Sequence, residues 1–222
     1  MVFLQLLFIF LAYFIGSIPF GFLIGKMKGV DLRKEGSGNI GATNCGRVLG
    51  KKYAVIVFLL DVLKGFIFVF LFRFKFISPQ YMVISPLLYG LLAALGHSYS
   101  IYLNFKGGKA VATSCGMILG FSPALFLIIF IAFFVVKKVT KLVSLGSLVS
   151  TCITVVGFVV FLIIGYDPTL TFLSGEWIFP VNTFQVDIET FIIALLCASL
   201  IFIKHSSNIK RIKEGKEKPI NY

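Results

Sequence analysis

Residues 110–136 read AVATSCGMILGFSPALFLIIFIAFFVV, one apolar run with Ser122-Pro123 near its middle. As a single straight helix this run would be about 40 Å long, whereas the hydrocarbon core of a bilayer is about 30 Å thick. Proline inside a helix also breaks or kinks it. We therefore expect two short membrane segments, 110–121 and 123–136, which meet near Ser122-Pro123 and set the topology of the whole chain.

The rest of the chain has the composition of a helical membrane protein. Of its 222 residues, 58% are hydrophobic and only 14% are charged, whereas about a quarter of the residues of a soluble domain are charged. Other apolar stretches lie at 2–25, 53–72, 82–96, 142–165 and 190–203. The chain is therefore predicted to be all-α, a single polytopic membrane-integral domain over residues 1–222 with about seven membrane helices, one or two of them short.

The distribution of positive charge predicts the orientation. The chain carries 21 Lys and Arg residues against 9 Asp and Glu residues. Lys and Arg accumulate in cytoplasmic loops. We therefore expect seven segments with the N-terminus outside and the C-terminus in the cytoplasm, because this arrangement places nearly all of the Lys and Arg residues on the cytoplasmic side. The loop 166–187, with Asp167, Glu176 and Asp187 and no basic residue, is then expected outside. The net positive charge is explained by the Lys and Arg residues that flank membrane segments on the cytoplasmic side, so no nucleic-acid partner is expected.

The first inside loop reads SGNIGATN at 37–44, followed by Arg47. Glycine allows the backbone to approach a ligand closely, and successive N–H groups in such a turn form an anion-binding nest. Arg47 lies four residues after Thr43, on the same face of a helix, and arginine can bind phosphate oxygens bidentately. A capped turn before a solvated basic helix explains the same pattern. The residues expected to bind phosphate here are Ser37, Gly38, Asn39, Gly41, Thr43 and Asn44, together with Arg47.

A second inside loop contains Lys106-Gly107-Gly108-Lys109, shortly after His97. Two cations flank a flexible pair of glycines beside an apolar segment, which suits an anionic ligand. The loop lacks the Gly-x-x-x-x-Gly-Lys-Ser/Thr pattern and a preceding strand, so we reject a nucleotide site. A basic membrane boundary would explain the lysines, although not the paired glycines or His97.

The tail and the membrane segments supply the remaining candidates. His205 and Asn208 share a helix face by their spacing and can hydrogen-bond a phosphate or a hydroxyl, although a stop-transfer tail would explain the neighbouring lysines. Ser144 lies beside the basic stretch 137–141 and is a further candidate. Asp61 and Lys64 are spaced to form an ion pair inside a membrane segment, with a structural or a catalytic role.

The absent motifs limit the chemistry. Neither histidine begins a His-x-x-x-x-Asp motif, since Tyr102 follows His97 by five residues and Lys210 follows His205 by five. We expect no metal site and no cofactor. A reaction here would hold anionic substrates with cations and N–H groups and would not depend on a carboxylate–histidine base.

Three motifs together resemble the bacterial membrane-integral glycerol-3-phosphate acyltransferases that use acyl-phosphate as donor. The matching positions are 17–19, 31–33 and 36–44 with Arg47; 96–97, 105–109 and 111–113; and His205, Asn208, Ile209, Arg211, Gly215 and Glu217. Asp61, Lys64 and Gly65 match the family's second membrane segment. The chain departs from the family at flanking positions, with Ser100 for Pro, Ala110 for Gly and Lys204 for Arg.

The resemblance implies acyl transfer from acyl-phosphate to glycerol 3-phosphate at the cytoplasmic face of a bacterial inner membrane. The implied partners are these two substrates, membrane lipid and the soluble enzyme that makes acyl-phosphate. Arg47, Lys106, His205 and Asn208 are implied to be catalytic. The residues implied to bind substrate are Ser37, Gly38, Asn39, Gly41, Thr43, Asn44, His97, Gly107, Gly108, Lys109 and Ser144. Asp61, Lys64 and Arg211 are implied to hold the residues of the site in place.

An organic-phosphate transporter is the alternative that the sequence leaves open. Such a protein would also combine basic loops with membrane segments. Transporters place their sites near the bilayer midplane and often contain inverted repeats. In this chain the polar motifs crowd one interface and no repeat is visible, so the enzyme is the preferred interpretation.

Overall fold

The computed structural model describes residues 1–164 and 186–220, and every regular element in these two ranges is helical. The all-α prediction is thereby confirmed for the described residues. The predicted outside loop 166–187 lies outside them, except for its last two positions. The described residues form ten α-helices, namely α1 (Val2–Ser17), α2 (Phe20–Met27), α3 (Ala42–Leu49), α4 (Lys51–Arg73), α5 (Pro86–Ser98), α6 (Val111–Phe121), α7 (Pro123–Thr140), α8 (Val143–Ile164), α9 (Ile188–Lys204) and α10 (Ser206–Lys213).

The predicted break at Ser122-Pro123 separates α6 from α7. Ser122 has an extended backbone, and its Oγ accepts a hydrogen bond from the backbone N–H of Leu125 at 3.2 Å. Pro123 is the first residue of α7, where a missing N–H costs nothing because that group has no partner inside the helix. The run 110–136 therefore folds as two helices, and α7 packs against α8.

In the part of the chain that the structure describes, helix length and composition support four or five membrane crossings. The segment Val2–Met27, α4, α7 and α8 are each long and apolar enough to cross a bilayer. The apolar α9 joins α10 across a bend of 58°, and this pair counts as a fifth crossing when taken together. With 13 and 11 residues, α5 and α6 are shorter than the roughly 17–25 residues of a usual membrane helix. Their assignment as short crossing segments stays a prediction.

Close packing of small residues fixes the central helices. A Cβ atom on Gly65 of α4 would lie 1.9 Å from the carbonyl oxygen of Thr113, and one on Gly116 of α6 would lie 1.9 Å from that of Val62. Between α1 and α5, a Cβ on Gly16 would lie 2.3 Å from the carbonyl oxygen of Ala93. Membrane helices associate through such small residues because lipid provides no hydrophobic driving force between them. This packing holds the middle of α4 against the first half of α6, and the C-terminal end of α1 against α5.

A buried ion pair ties α4 to the break between α1 and α2. Asp61 and Lys64 are 2% and 3% exposed, and their Oδ1 and Nζ atoms are 2.8 Å apart, as the spacing predicts. The Lys64 Nζ also donates to the carbonyl of Ile18 at 3.0 Å. That carbonyl lies at a break that Pro19 helps to create, because proline has no N–H to continue the helix. The pair therefore has a visible structural role.

Candidate active site

Polar side chains from two helices, α8 and α10, meet at the carboxylate of Glu217. Ser144 in the first turn of α8 donates from Oγ to Oε1 at 2.5 Å. On α10, the Asn208 Nδ2 donates to the same oxygen at 2.6 Å, and the Arg211 Nε donates to Oε2 at 2.7 Å. The Lys109 Nζ, just before α6, donates to the Oδ1 of Asn208 at 2.5 Å. We call Lys109, Ser144, Asn208, Arg211 and Glu217 the polar cluster.

Lys109 and Glu217 have shifted acidities in this cluster. Burial lowers the pKa of Lys109 to about 8, with smaller contributions from nearby Arg211 and Arg47, although the charge of Glu217 opposes the shift. Burial raises the pKa of Glu217, but hydrogen bonds from Ser144, Asn208 and Arg211 lower that pKa by more than burial raises it. The pKa of Glu217 is therefore lowered overall. At neutral pH the lysine is therefore largely protonated and the carboxyl group is ionised.

Arg47 lies at the edge of the polar cluster. Its Nη2 donates to the carbonyl of Lys218 at 3.2 Å, one residue after Glu217. The guanidinium is exposed and retains further N–H groups for a ligand. Arg47 lies in the last turn of α3, which begins at Ala42. It therefore links the first inside loop to the polar cluster, although the two are far apart in sequence.

His205 lies at the junction between α9 and α10 and is 2% exposed. Its Nδ1 is 2.8 Å from the carbonyl oxygen of Ile201. A carbonyl can only accept, so this contact assigns the proton to Nδ1 and leaves Nε2 as an acceptor.

The loop 37–44 is shaped by its own asparagines. The Asn44 Oδ1 accepts from the backbone N–H of Ser37 at 2.7 Å, and its Nδ2 donates to the carbonyls of Leu32 and Glu35 at 3.1 and 3.0 Å. The Asn39 Oδ1 accepts from the backbone N–H of Gly41 at 2.8 Å. Both asparagines therefore hold the turn, whereas the sequence suggested that they contact a ligand.

Ser37 and Gly38 are exposed in this loop, and Thr43 is half-buried. Gly38 has a φ of +72°, a backbone conformation in which glycine avoids the strain of a side chain. The backbone N–H of Gly38 donates to the carbonyl of Glu35 at 3.0 Å, so the N–H groups of Ser37, Gly38 and Gly41 are all used within the loop. The role of this turn in binding phosphate stays a prediction.

The glycines of the second inside loop pack against the end of α5. The backbone N–H of Gly107 donates to the carbonyl of Ser98 at 3.2 Å, and that of Gly108 donates to the carbonyl of His97 at 2.9 Å. A Cβ atom on Gly107 would lie 2.0 Å from the carbonyl oxygen of His97, and one on Gly108 would lie 2.1 Å from its Nε2. Their N–H groups are therefore used within the protein, and the glycines bring the loop onto α5.

His97 and Lys106 lie outside the polar cluster. His97 is 6% exposed and lies under the loop, with its Nδ1 3.4 Å from the Oδ1 of Asp61. The structure thus gives it a supporting position, whereas the sequence suggested contact with substrate. Lys106 is exposed, at the surface of the same loop. Of the two lysines, Lys109 is the one that the loop brings into the polar cluster.

Two contacts were not expected from the sequence. The Lys204 Nζ donates to the carbonyl of Ser98 at 2.7 Å and lies 4.0 Å from the centre of the Tyr99 ring. Ser100 donates from its Oγ to the carbonyl of Ser17 at 2.6 Å. Both residues occupy positions where the chain departs from the family pattern. Lys204 connects the end of α9 to the end of α5, and Ser100 connects the segment after α5 to the end of α1. The central position of Glu217 was also missed, although this residue is part of the third motif.

Comparison with known proteins agrees with this architecture. A family model described as glycerol-3-phosphate acyltransferase matches residues 6–215. The chain is 43% identical over 217 residues to the glycerol-3-phosphate acyltransferase of Macrococcus caseolyticus, covering 97% of each chain. It is 40% identical over 220 residues to that of Staphylococcus aureus (strain JH9), covering 96% of each.

Two crystal structures of PlsY (YgiH), an integral membrane glycerol 3-phosphate acyltransferase, share the fold. The glycerol 3-phosphate form matches with a TM-score of 0.81 and 35% identity, covering 98% of this chain and 96% of the other. The lysophosphatidic acid form matches with a TM-score of 0.78 and 34% identity, covering 98% and 95%. These matches define an integral-membrane acyltransferase. The chain belongs to the glycerol-3-phosphate acyltransferase family.

Proposed function

We propose that this protein transfers a fatty acyl group from acyl-phosphate to the 1-hydroxyl of sn-glycerol 3-phosphate, giving lysophosphatidic acid and inorganic phosphate. This reaction is an early step of phospholipid biosynthesis. The convergence of Ser144, Asn208 and Arg211 on one anionic group, with Lys109 bonded to Asn208 beside them, carries the proposal. Charged and neutral donors that hold a carboxylate are equally suited to phosphate oxygens.

The proposed chemistry needs positioning and charge stabilisation more than a strong base. The 1-hydroxyl oxygen attacks the acyl carbon, the bond between that carbon and the phosphate oxygen breaks, and phosphate leaves. The hydroxyl proton goes to the leaving phosphate or to the Nε2 of His205, which the contact with Ile201 keeps as an acceptor. Arg47 and Lys109 stabilise the negative charge on the phosphates. Because acyl-phosphate is a mixed anhydride, it is already activated for this attack.

The acyl chain of the donor would enter the membrane beside the polar cluster. A largely apolar cavity between α6, α8 and α9 is lined by Val111, Ser147 and Ile201 among others. Each of these three residues lies within about one helical turn of Lys109, Ser144 or His205. The phosphate of an acyl-phosphate can therefore lie in the polar cluster while its chain extends toward the cavity.

The proposed setting is the cytoplasmic membrane of a bacterium, with residues 1–222 acting as one domain. The N-terminus would lie outside and the polar cluster would face the cytoplasm, where the basic loops are expected. Both water-soluble glycerol 3-phosphate and the soluble enzyme that makes acyl-phosphate would then reach the site from the same side. The organic-phosphate transporter is not favoured by the relatives, which carry the name of an acyltransferase.

A donor comparison tests this function. Purified protein in detergent receives glycerol 3-phosphate with either palmitoyl-phosphate or palmitoyl-CoA, and lysophosphatidic acid and released phosphate are both measured. We expect one phosphate per lysophosphatidic acid with palmitoyl-phosphate and no product with palmitoyl-CoA. Equal activity with both donors would overturn the donor assignment. Folded protein that makes no lysophosphatidic acid from palmitoyl-phosphate would overturn the proposed reaction.

A further inference from the structure

The last described residues, 216–220, fold back over the polar cluster and are called the tail strap. The backbone N–H of Lys216 donates to the carbonyl of Arg211 at 2.8 Å, and that of Ile220 donates to the carbonyl of Lys141 at 3.0 Å. Arg47 donates to the carbonyl of Lys218. The tail strap therefore spans from α10 to the turn between α7 and α8, with α3 at its edge.

Within the tail strap, the carboxylate of Glu217 is held by the donors of the polar cluster. Its side chain is 9% exposed and accepts hydrogen bonds from Ser144, Asn208 and Arg211. The net lowering of its pKa means that it is charged at neutral pH. Three donors that the proposed function assigns to phosphate thus already hold a negative group that belongs to the protein.

We propose that Glu217 is an internal competitor for the phosphate-binding cluster, which determines how tightly the protein binds phosphate. This inference rests on the proposed function, because it takes the polar cluster as a phosphate site. A phosphate dianion and the carboxylate would share Ser144, Asn208 and Arg211, and two negative groups so close together repel each other. Phosphate binding then displaces the carboxylate, and the returning carboxylate promotes the release of phosphate.

Gly215 provides the hinge for this exchange. It directly precedes the tail strap and has a φ of +66°, and a Cβ atom placed on it would meet nothing within 4 Å. No atom packs against that side of Gly215, so steric contact there does not oppose a change in its backbone. The alternative is a fixed Glu217 that orients Asn208 and Arg211 for substrate. The two roles predict opposite signs, since removing a competitor tightens phosphate binding and removing an orienting group weakens it.

The test measures the dissociation constants of inorganic phosphate and glycerol 3-phosphate by calorimetry on purified protein. Glu217→Gln keeps the shape of the side chain and removes its charge. We expect both ligands to bind about tenfold more tightly to this variant. The matched control is Glu214→Gln on the same tail, whose ion pair with Lys216 at 3.3 Å is exposed, and it should bind like wild type. Unchanged or weaker binding by Glu217→Gln would overturn the proposal.

A second variant keeps the test decisive if Glu217→Gln does not fold. Gly215→Ala adds no steric clash but strains the left-handed backbone, which loosens the tail strap. We expect phosphate to bind about tenfold more tightly to this variant. Gly29→Ala is its control, because Gly29 also has a positive φ and nothing within 4 Å, and it lies in another loop. Unchanged or weaker binding by Gly215→Ala would again contradict the proposal.

The binding measurement also separates this inference from the proposed function. It needs no acyl donor, so protein that binds phosphate but transfers no acyl group refutes only the proposed reaction. Wild-type protein that binds neither ligand refutes the phosphate assignment of the polar cluster and the competitor with it. Phosphate binding in wild type without tightening in the variants refutes the competitor alone.

Discussion

Replacing Gly107 by alanine tests whether the fold of the second inside loop positions Lys109. The new Cβ atom would lie 2.0 Å from the backbone carbonyl oxygen of His97, and ordinary contacts begin at 3.4 Å. The loop would therefore have to move about 1.4 Å away from α5. Lys109 follows two residues later and would lose its contact with Asn208. A displacement of about 1 Å can cost about 100-fold in rate, so we expect kcat/KM to fall about 100-fold.

The assay follows phosphate release from palmitoyl-phosphate at varied glycerol 3-phosphate, with purified monodisperse protein. Gly157→Ala in α8 is the matched control. Its new Cβ atom would meet only the end of the flexible Leu125 side chain, at 2.7 Å, and no backbone atom. We expect this control to have nearly wild-type kcat/KM. A folded Gly107→Ala protein with nearly wild-type kcat/KM would refute the positioning argument.

Three further predictions follow from charge and backbone geometry. The kcat/KM for glycerol 3-phosphate should fall as pH rises through about 8, because Lys109 has its pKa lowered to about 8 and then loses its charge; Lys109→Arg should shift this fall to higher pH, and an unchanged profile would contradict the assignment. Ala110 has a φ of +59°, so Ala110→Gly should stabilise the protein by about 1 kcal/mol, measured by thermal unfolding in detergent, whereas a lower unfolding temperature would oppose this reasoning. Asp61→Asn should destabilise the protein by about 3–5 kcal/mol because it leaves Lys64 buried without its charged partner, and Asp61→Asn with Lys64→Met should recover part of that loss. If the double variant were no more stable than Asp61→Asn, the ion-pair explanation would be wrong.

The main helices could be predicted from the sequence because apolar length and proline act locally. Ser122-Pro123 shows this most clearly, since a capping serine and a proline that cannot continue a helix determine the break wherever α6 and α7 pack. The pairing of Asp61 with Lys64 is likewise set by their spacing on one helix. These predictions depend on neighbouring residues and not on how distant segments pack.

The contacts of the candidate site depend on packing and were only partly predictable. Ser144 and Glu217 are 73 residues apart, and only the arrangement of α8, α10 and the tail strap brings them together. Gly107 and Gly108 suggested a phosphate cradle, but the same absence of side chains allows the loop to pack on His97. Asn44 was expected to contact a ligand because it is polar. In the structure, both its amide oxygen and its amide nitrogen form hydrogen bonds within the loop. Polarity thus indicated which residues matter, and packing decided what each one contacts.

The family motifs narrowed this uncertainty without removing it. They identified Arg47, His205 and Asn208 before any geometry was known, and the structure places Asn208 in the polar cluster with Arg47 at its edge. The departures at Ser100 and Lys204 have a physical account, because each side chain bonds to a backbone carbonyl of another segment. Such contacts show that these departures keep the loops connected to the helices.

The most direct test of the central claim measures lysophosphatidic acid formation by Arg47→Ala. Arg47 lies at the edge of the polar cluster and has guanidinium N–H groups available for phosphate, and removing such a donor costs about 100-fold or more in rate. We predict that loss from palmitoyl-phosphate and glycerol 3-phosphate, in a variant that remains monodisperse. Lys51→Ala, which removes one exposed positive charge at the start of α4, should stay close to wild type. Folded Arg47→Ala protein with wild-type activity would contradict the assignment of this cluster as the site of acyl transfer.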